Sequence, residues 1–576
     1  MAKKLTQNVN KDKLFNDLPK VNPGKSRWGS RQSNYQACNL GEIVPIYWDE
    51  VLPNETRQIT MAMISHTTTP IAPVFNAMYT ELRSFVVPIR LCADLLNGYK
   101  TRKSPWVKVF GEDNSVENSR IIVPLSEQAL PKFTSTHQFI YDLRTYYNDM
   151  TTRNNVFDSL DLYDPYFGES GEFMEDMNYL NLAAYELIYQ RHYRNENYEA
   201  ATASPLYRLL FDAYNHDKSG VSFPLSFTFE KANREKDYFT GMKPFTQKGD
   251  APLINIAGKA PVVGVDSSDN IKLDEISIEG KTGGIALTVG GTSKAGRLQV
   301  SNTSTPLGSN SGLGDNTFDL VADLRSVRGI SVEELRLLIK TQELLEKDAM
   351  YGSLYAESLN AHFGCCPLDL TLQDPQEIYR TTVTSNMQAI FQTSSTSGES
   401  SILGTIGANS TTQTDPFVIL KETTFKEHCI IMICAVHKLQ NVYNSDWFKP
   451  KFIFKNSRFD FYTPELNDLG YQPVTQHEMV KGNSPVVGFN EAFAEYRYKF
   501  NKVHGVLASD FPYWAPAIAD EYSTASTLYK EAPGILDKAL SVTSVSAPQF
   551  YDAWGFEEVN EKPMSLHSIP GMDGVI

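Results

Sequence analysis

Two apolar, β-prone runs stand near the start of the chain, Arg57 to Ser65 and Leu82 to Ile89. The first is entered through Val44-Pro45-Ile46-Tyr47-Trp48. Glu495-Tyr496-Arg497-Tyr498-Lys499-Phe500 alternates charged and aromatic positions, which predicts a strand with one buried and one wet face. Cys429 to Val436 is apolar on both faces and predicts a strand covered on both sides. A helical period appears between these runs, over Asn178 to Tyr193 and over Pro205 to Tyr214. Ser331-Val332-Glu333-Glu334 has the capping-box pattern, and Leu337, Leu338, Thr341, Leu344 and Leu345 behind it share one mostly apolar face. The strands lack the regular spacing of βαβ units. The expected class is therefore mainly β, an antiparallel body with long helical and irregular insertions.

Two segments depart from this pattern by lacking aromatic residues. Thr246 to Thr317 holds none in 72 positions but carries twelve glycines, and reads as short apolar strands cut by turns. Gln392 to Pro416 is nearly half Ser and Thr. Both read as exposed excursions on a rigid body: 246–317 as a surface insertion or protrusion, 392–416 as a Ser/Thr-rich surface loop. Residues 36–576 otherwise read as one domain.

Composition narrows the class. Of 576 residues, 41% are hydrophobic and 21% charged, which excludes wholesale disorder, collagen and coiled coil. Aromatics at 11% suit sheet and interface surface better than a helical bundle. The longest clean apolar run falls far short of the ~20 residues that span a bilayer. Met1-Ala2-Lys3-Lys4 opens no apolar leader, so the expectation is a soluble protein made in a cytoplasm. Six scattered cysteines make no disulfide framework; Cys429 and Cys434 read as buried reduced thiols, and the neighbours Cys365 and Cys366 do not suit a disulfide.

The net charge of −15 is unevenly spread. Residues 1–33 hold Lys3, Lys4, Lys11, Lys13, Lys20, Lys25, Arg27 and Arg31 against Asp12 and Asp17 only, six net positive charges on a chain whose remainder carries −21. A basic polar arm over 1–35 on an acidic body suits contact with nucleic acid, and equally a solvated leader. With Trp28, which could stack on an unpaired base, these basic residues are the candidate DNA-binding set.

Catalytic and cofactor motifs are incomplete. Gly280-Lys281-Thr282 ends like a phosphate-binding loop, but Glu275 stands where its first glycine belongs. His477-Glu478-Met479-Val480-Lys481 has Lys at the second ligand position of a zinc-protease helix. His428, Cys429, Cys434 and His437 lie close in sequence, at a spacing that fits no usual zinc pattern. The expectation is no enzyme, no cofactor and no metal.

Longer strings carry a resemblance. Gly41-Glu42-Ile43-Val44-Pro45-Ile46-Tyr47-Trp48-Asp49-Glu50-Val51-Leu52-Pro53, then Thr69-Pro70-Ile71-Ala72-Pro73-Val74 and Phe85-Val86-Val87-Pro88-Ile89-Arg90-Leu91, resemble the major capsid proteins of microviruses, small single-stranded-DNA phages. Ala184-Tyr185-Glu186-Leu187-Ile188-Tyr189, Asp237-Tyr238-Phe239-Thr240, Phe461-Tyr462-Thr463-Pro464 and Ile569-Pro570-Gly571-Met572 follow in the same order. The likeness runs from about residue 27 to the carboxyl terminus and is nearest the gokushovirus-like branch. One departure is Lys243-Pro244-Phe245-Thr246-Gln247-Lys248-Gly249, where the family often has Trp.

The resemblance implies an eight-stranded antiparallel viral jelly roll with long insertions. It further implies a homo-oligomer of about sixty copies, the simplest icosahedral shell, around circular single-stranded DNA. The implied partners are a small basic DNA-packaging protein, a vertex or pilot protein, and a host surface receptor reached through 246–317. The location would be the virion, assembled in the bacterial host cytoplasm. A phage receptor-binding or spike protein, and a carbohydrate-active β-sandwich enzyme, are the alternatives.

Overall fold

The computed structural model describes residues 24–89, 91–92, 155–162, 180–200, 204, 228–252, 262–265, 271–272, 287–290, 297–300, 319–322, 332–351, 360, 362–363, 374–391, 406–480, 485–519 and 525–567. The strands in chain order are β1 (Ser26–Cys38), β2 (Val44–Val51), β3 (Thr56–Thr67), β4 (Met78–Pro88), β5 (Val262–Val265), β6 (Ile271–Lys272), β7 (Leu287–Gly290), β8 (Arg297–Val300) and β9 (Asp319–Ala322). There follow β10 (Gln376–Phe391), β11 (Ile406–Gln413), β12 (Phe417–Thr424), β13 (Cys429–Leu439), β14 (Val442–Asn444), β15 (Tyr471–Thr475), β16 (Val486–Glu491), β17 (Asn501–Val503) and β18 (Phe550–Lys562). The chain divides into two compact units, 1–246 with 351–576, and 247–350.

The larger unit is built on one antiparallel sheet in the order β1-β18-β3-β11-β10-β4-β13-β2, with β12 also on β3. It folds over into two layers. β10 joins them, pairing with β4 through residues 376–385 and with β11 through 386–391. The result is the expected β-sandwich of jelly-roll type, with nine strands because the stretch beside β3 is split into β11 and β12 at Thr414-Asp415-Pro416. Pro416 has no N–H to continue a ladder. Part of the expected Ser/Thr-rich surface loop is thereby corrected. Residues 392–405 lie outside the described residues, but β11 is a sheet strand whose Ala408, Ser410 and Thr412 point inward and are buried.

The layers meet through alternate side chains. β3 buries Arg57, Ile59, Met61, Met63 and Ser65, and β18 buries Phe550, Asp552, Trp554 and Phe556 at the same period. Tyr47 of β2 packs on Phe556 with ring centroids 5.0 Å apart. β13 is buried on both faces, as its unbroken apolar run predicts. Helix α1 (Val156–Ser159) lies against β2, and α2 (Leu180–Ile188) lies against β4 and β13. Tyr185 of α2 donates its hydroxyl to the Ile43 carbonyl at 2.8 Å. A π-helical turn, Tyr189–Tyr193, ends the predicted 178–193 helix and sets Tyr193 under Arg83, whose guanidinium lies 4.6 Å from the ring centroid. Glu81 of β4 ties its neighbours together, pairing with Lys438 of β13 at 2.5 Å and Arg380 of β10 at 2.6 Å.

Gly41, which opens the longest of the recognised strings, is required by space and by backbone. Its φ is +80°, and an added Cβ would stand 2.2 Å from the Cβ of Glu531. The described free cysteines Cys38, Cys92, Cys429 and Cys434 are all buried. The predicted helix over 205–214 and the pair Cys365 and Cys366 lie outside the described residues.

The 247–350 unit holds the short strands expected of its aromatic-free segment. β6-β5-β9 form an antiparallel sheet and β7-β8 a hairpin. It extends past Thr317 to include helix α3 (Val332–Tyr351). The apolar face of α3 is not packed away: Leu337 and Leu344 are exposed and Ala349 is its one buried residue among those described.

Candidate functional site

The candidate DNA-binding residues fall into two groups. Lys3, Lys4, Lys11, Lys13 and Lys20 lie outside the described residues, whereas Lys25, Arg27, Trp28 and Arg31 stand at or in β1. The sequence gives the arm a span to residue 35, and this is corrected: from Ser26 onward the chain is a strand, paired with β18 residue for residue to Cys38. As an edge strand it is exposed on most of its length, so it carries no apolar alternation by which to recognise it.

Its arginines face acid. Arg27 stands opposite Glu561 and Arg31 opposite Glu557, and Arg31 Nη2 is 2.8 Å from Glu557 Oε1. Both partners of that pair are exposed, so solvent screens it and it adds little to stability. It nevertheless cancels local charge, and the β1–β18 ribbon offers phosphate little net attraction. Trp28, half-buried opposite Asn560, is not aimed freely at solvent. A cavity of about 480 Å³ opens beside β1, lined by Asn34, Tyr35, Gln36, Trp48, Asp158 and Asp161 among others. Trp48 Nε1 donates to Asp161 at 3.1 Å. Among the described residues no basic side chain lines this cavity, and those that do line it do not suit an anion.

The most distinctive surface was not singled out from sequence. After Pro450 the chain runs through three short 3₁₀ turns, Lys451–Phe454, Arg458–Asp460 and Pro464–Leu466. The second turn is closed by a capping box in which the Asp460 carboxyl accepts from the Ser457 N–H and the Ser457 side chain accepts from backbone N–H groups of the turn. The Ser457 and Asn456 N–H groups hold the Asp460 carboxyl below its usual range. Along these turns Phe452, Ile453, Phe459, Phe461, Tyr462 and Leu469 all stand exposed.

Underneath them lies an ordered base. Lys455, its side chain almost wholly covered, pairs with Glu495 and hydrogen-bonds Tyr496 Oη at 3.2 Å. Its Nζ is 4.3 Å from the Tyr496 ring centroid and 5.3 Å from that of Phe461. Tyr462 packs edge-on against Phe493 at 5.4 Å. The predicted strand over 495–500 is corrected here: Phe493, at φ 59°, turns the chain into a short helix, α4 (Ala494–Arg497). Arg497 pairs with Glu491 and Glu495 with Lys455, so the alternation serves ion pairs and ring contacts on a turn, not a pleat. The legible signal was the density of Phe and Tyr between Pro450 and Tyr498. Rigid, exposed aromatics in such numbers make a surface suited to burial against another protein chain.

Comparison with known proteins gives a consistent answer. Residues 25–124 and 148–572 match the family described as "Capsid protein (F protein)". The chain is 29% identical over 562 residues to the capsid protein VP1 of Spiroplasma virus 4, covering 93% of each chain. It is 25% identical over 579 residues to the capsid protein VP1 of Bdellovibrio phage phiMH2K, covering 97% of this chain and 98% of that one. With the capsid protein VP1 of Chlamydia phage 1 it shares 25% identity over 626 aligned positions, covering 97% of each chain.

Proposed function

Since the chain belongs to the capsid protein (F protein) family of phages and is a structural protein of the gokushovirus-like microvirus virion, we propose that about sixty copies close into the simplest icosahedral shell around circular single-stranded DNA. The observation that supports closure through this chain's own copies is the exposed aromatic surface over 452–469 and Tyr496, preorganised on Lys455. A side chain already held in place loses little freedom on binding, which favours contact energy over entropy.

The genome contact falls to the amino-terminal arm. Arg31 is partnered and Arg27 faces an acid, so the phosphate-binding charge rests mainly on Lys3, Lys4, Lys11, Lys13, Lys20 and Lys25. Those six lysines less Asp12 and Asp17 leave four net charges per copy, and about sixty copies cannot neutralise several thousand phosphates, so the arm tethers DNA and a small basic packaging protein supplies most of the counter-charge. The 246–317 insertion is the outward protrusion that meets the host receptor, assembly takes place in the bacterial cytoplasm, and a vertex or pilot protein completes the particle.

Electron microscopy of the purified chain, with nuclease digestion of virions, tests this reading. Uniform closed particles and nuclease-protected single-stranded DNA are expected. Fibres or trimeric spikes on a different shell would overturn it.

A further inference from the structure

We propose that Cys38, His437 and Asp552 form a zinc site inside the sandwich that pins its two layers together. The three residues come from three strands, β1, β13 and β18. Cys38 stands opposite Phe550 in the β1–β18 ladder, and Asp552 lies two positions further along the same inward face. His437 reaches them from the facing layer. All three are at most 6% exposed.

The donor atoms are already gathered. Asp552 Oδ2 lies 2.9 Å from His437 Nε2 and 3.5 Å from Cys38 Sγ, and all three donor atoms lie within 4.8 Å of one another. Zinc–ligand lengths of about 2.3 Å to sulfur and about 2.0–2.2 Å to nitrogen or oxygen put tetrahedral neighbours roughly 3.4–3.6 Å apart. The two pairs made by Asp552 Oδ2 are therefore within about half an ångström of that spacing. The imidazole is held for the task. Its ring stacks on Phe550 at 4.0 Å with the planes 3° apart, and Thr80 Oγ1 stands 2.9 Å from its Nδ1. A partner on the far nitrogen is the usual support of a zinc-bound histidine.

A second observation points the same way. Asp552 Oδ1 is buried and has no hydrogen-bond partner. A carboxylate oxygen left bare in an apolar core is costly, and chelation of zinc through both oxygens would satisfy it. Charge also balances: one thiolate and one carboxylate with a neutral imidazole offset the dication. Without metal the buried Cys38 sulfur is a free thiol. Zinc displaces the thiol proton to solvent. The imidazole keeps its own proton, moved to Nδ1 and donated to Thr80 Oγ1.

The full-length chain, purified without chelator, is incubated with excess zinc and dialysed into metal-free buffer. About one zinc per chain should remain, and Cys38→Ser should retain less than about a tenth of that. Cobalt in place of zinc should give a thiolate-to-metal charge-transfer band that Cys434→Ser keeps and Cys38→Ser loses. Zinc should also raise the unfolding temperature of the unmutated chain. A folded unmutated chain that retains no zinc and gives no cobalt–thiolate band overturns the proposal without recourse to any variant. So does a band that survives in a folded Cys38→Ser.

Discussion

Glu186 and Glu230 are bridged by a single hydroxyl, Ser204 Oγ, which lies 3.2 Å from the first carboxyl and 2.8 Å from the second. One hydroxyl hydrogen can serve only one acceptor, so the other carboxyl must supply a proton of its own. Burial raises both carboxyls above the ordinary glutamate value, Glu186 well above it, with the Glu230 charge adding to the effect there. The folded chain thus keeps a proton that the unfolded chain releases. Because the folded state binds more protons, stability falls as pH rises from the ordinary glutamate value towards the raised one. Unfolding by denaturant, followed upward from the ordinary glutamate pKa, should show that decline. Glu186→Gln, neutral at every pH, should flatten it and be the more stable form at the alkaline end. An unchanged slope would remove the pair as its source.

Arg57 and Glu55 form an ion pair with both side chains wholly buried, Nη2 to Oε1 2.7 Å. Removing one partner of a buried pair costs about 3–5 kcal/mol, because the remaining charge is stranded. Asp49 and Glu558 also face the guanidinium, so Glu55→Ala should sit near the lower end of that range. Glu55→Gln, which keeps an acceptor, should cost less. Chemical denaturation of the unassembled chain measures both.

Phe452 and Phe459 are 68% and 72% exposed, so neither contributes much to the core. Replacing both with Ser should leave the unfolding temperature of the free chain nearly unchanged while particle yield collapses. Central interface aromatics typically cost 2 kcal/mol or more each when truncated, here taken as a rough guide. Sedimentation of wild-type and variant assemblies checks the outcome; full particle yield would place the subunit contact elsewhere.

Neutralising Lys3, Lys4, Lys11 and Lys13 together should lower the log–log salt dependence of single-stranded DNA binding by up to ~3, at ~0.7 per lost phosphate contact. Arg31→Gln should change it little, since Glu557 already offsets that charge. Fluorescence titrations across a salt series distinguish the two, and equal effects would contradict the division of labour between arm and strand.

Deleting residues 247–350 with a short linker should leave closed particles and reduce adsorption to host cells. Loss of the particles would show that this unit takes part in shell closure.

What could be read from the chain depended on whether burial left a period in it. β3 and β13 were legible because one hides alternate residues and the other hides all of them. β1 was not, since an edge strand with exposed faces looks like a polar leader. The 495–500 segment had the right period for the wrong reason, its charges being engaged on a helical turn. The aromatic surface over 452–469 has no period at all, only density. Cys38 and Asp552 are neighbours through strand pairing and His437 through the packing of the facing layer, which no local spacing could disclose.

The place of β18 between β1 and β3 has a consequence for how the protein is made. Arg31 meets Glu557 across 526 residues of intervening chain. A nascent chain therefore carries its first strands without their partner until about 500 further residues have been made. At bacterial elongation speeds of about 5–20 residues per second, that wait is on the order of half a minute or more. Open strand edges invite mispairing during such a delay, and chaperone cover in that window is the natural remedy. The same order acts as a proofreading step: a chain cut short before Phe550 lacks the strand that joins β1 to β3.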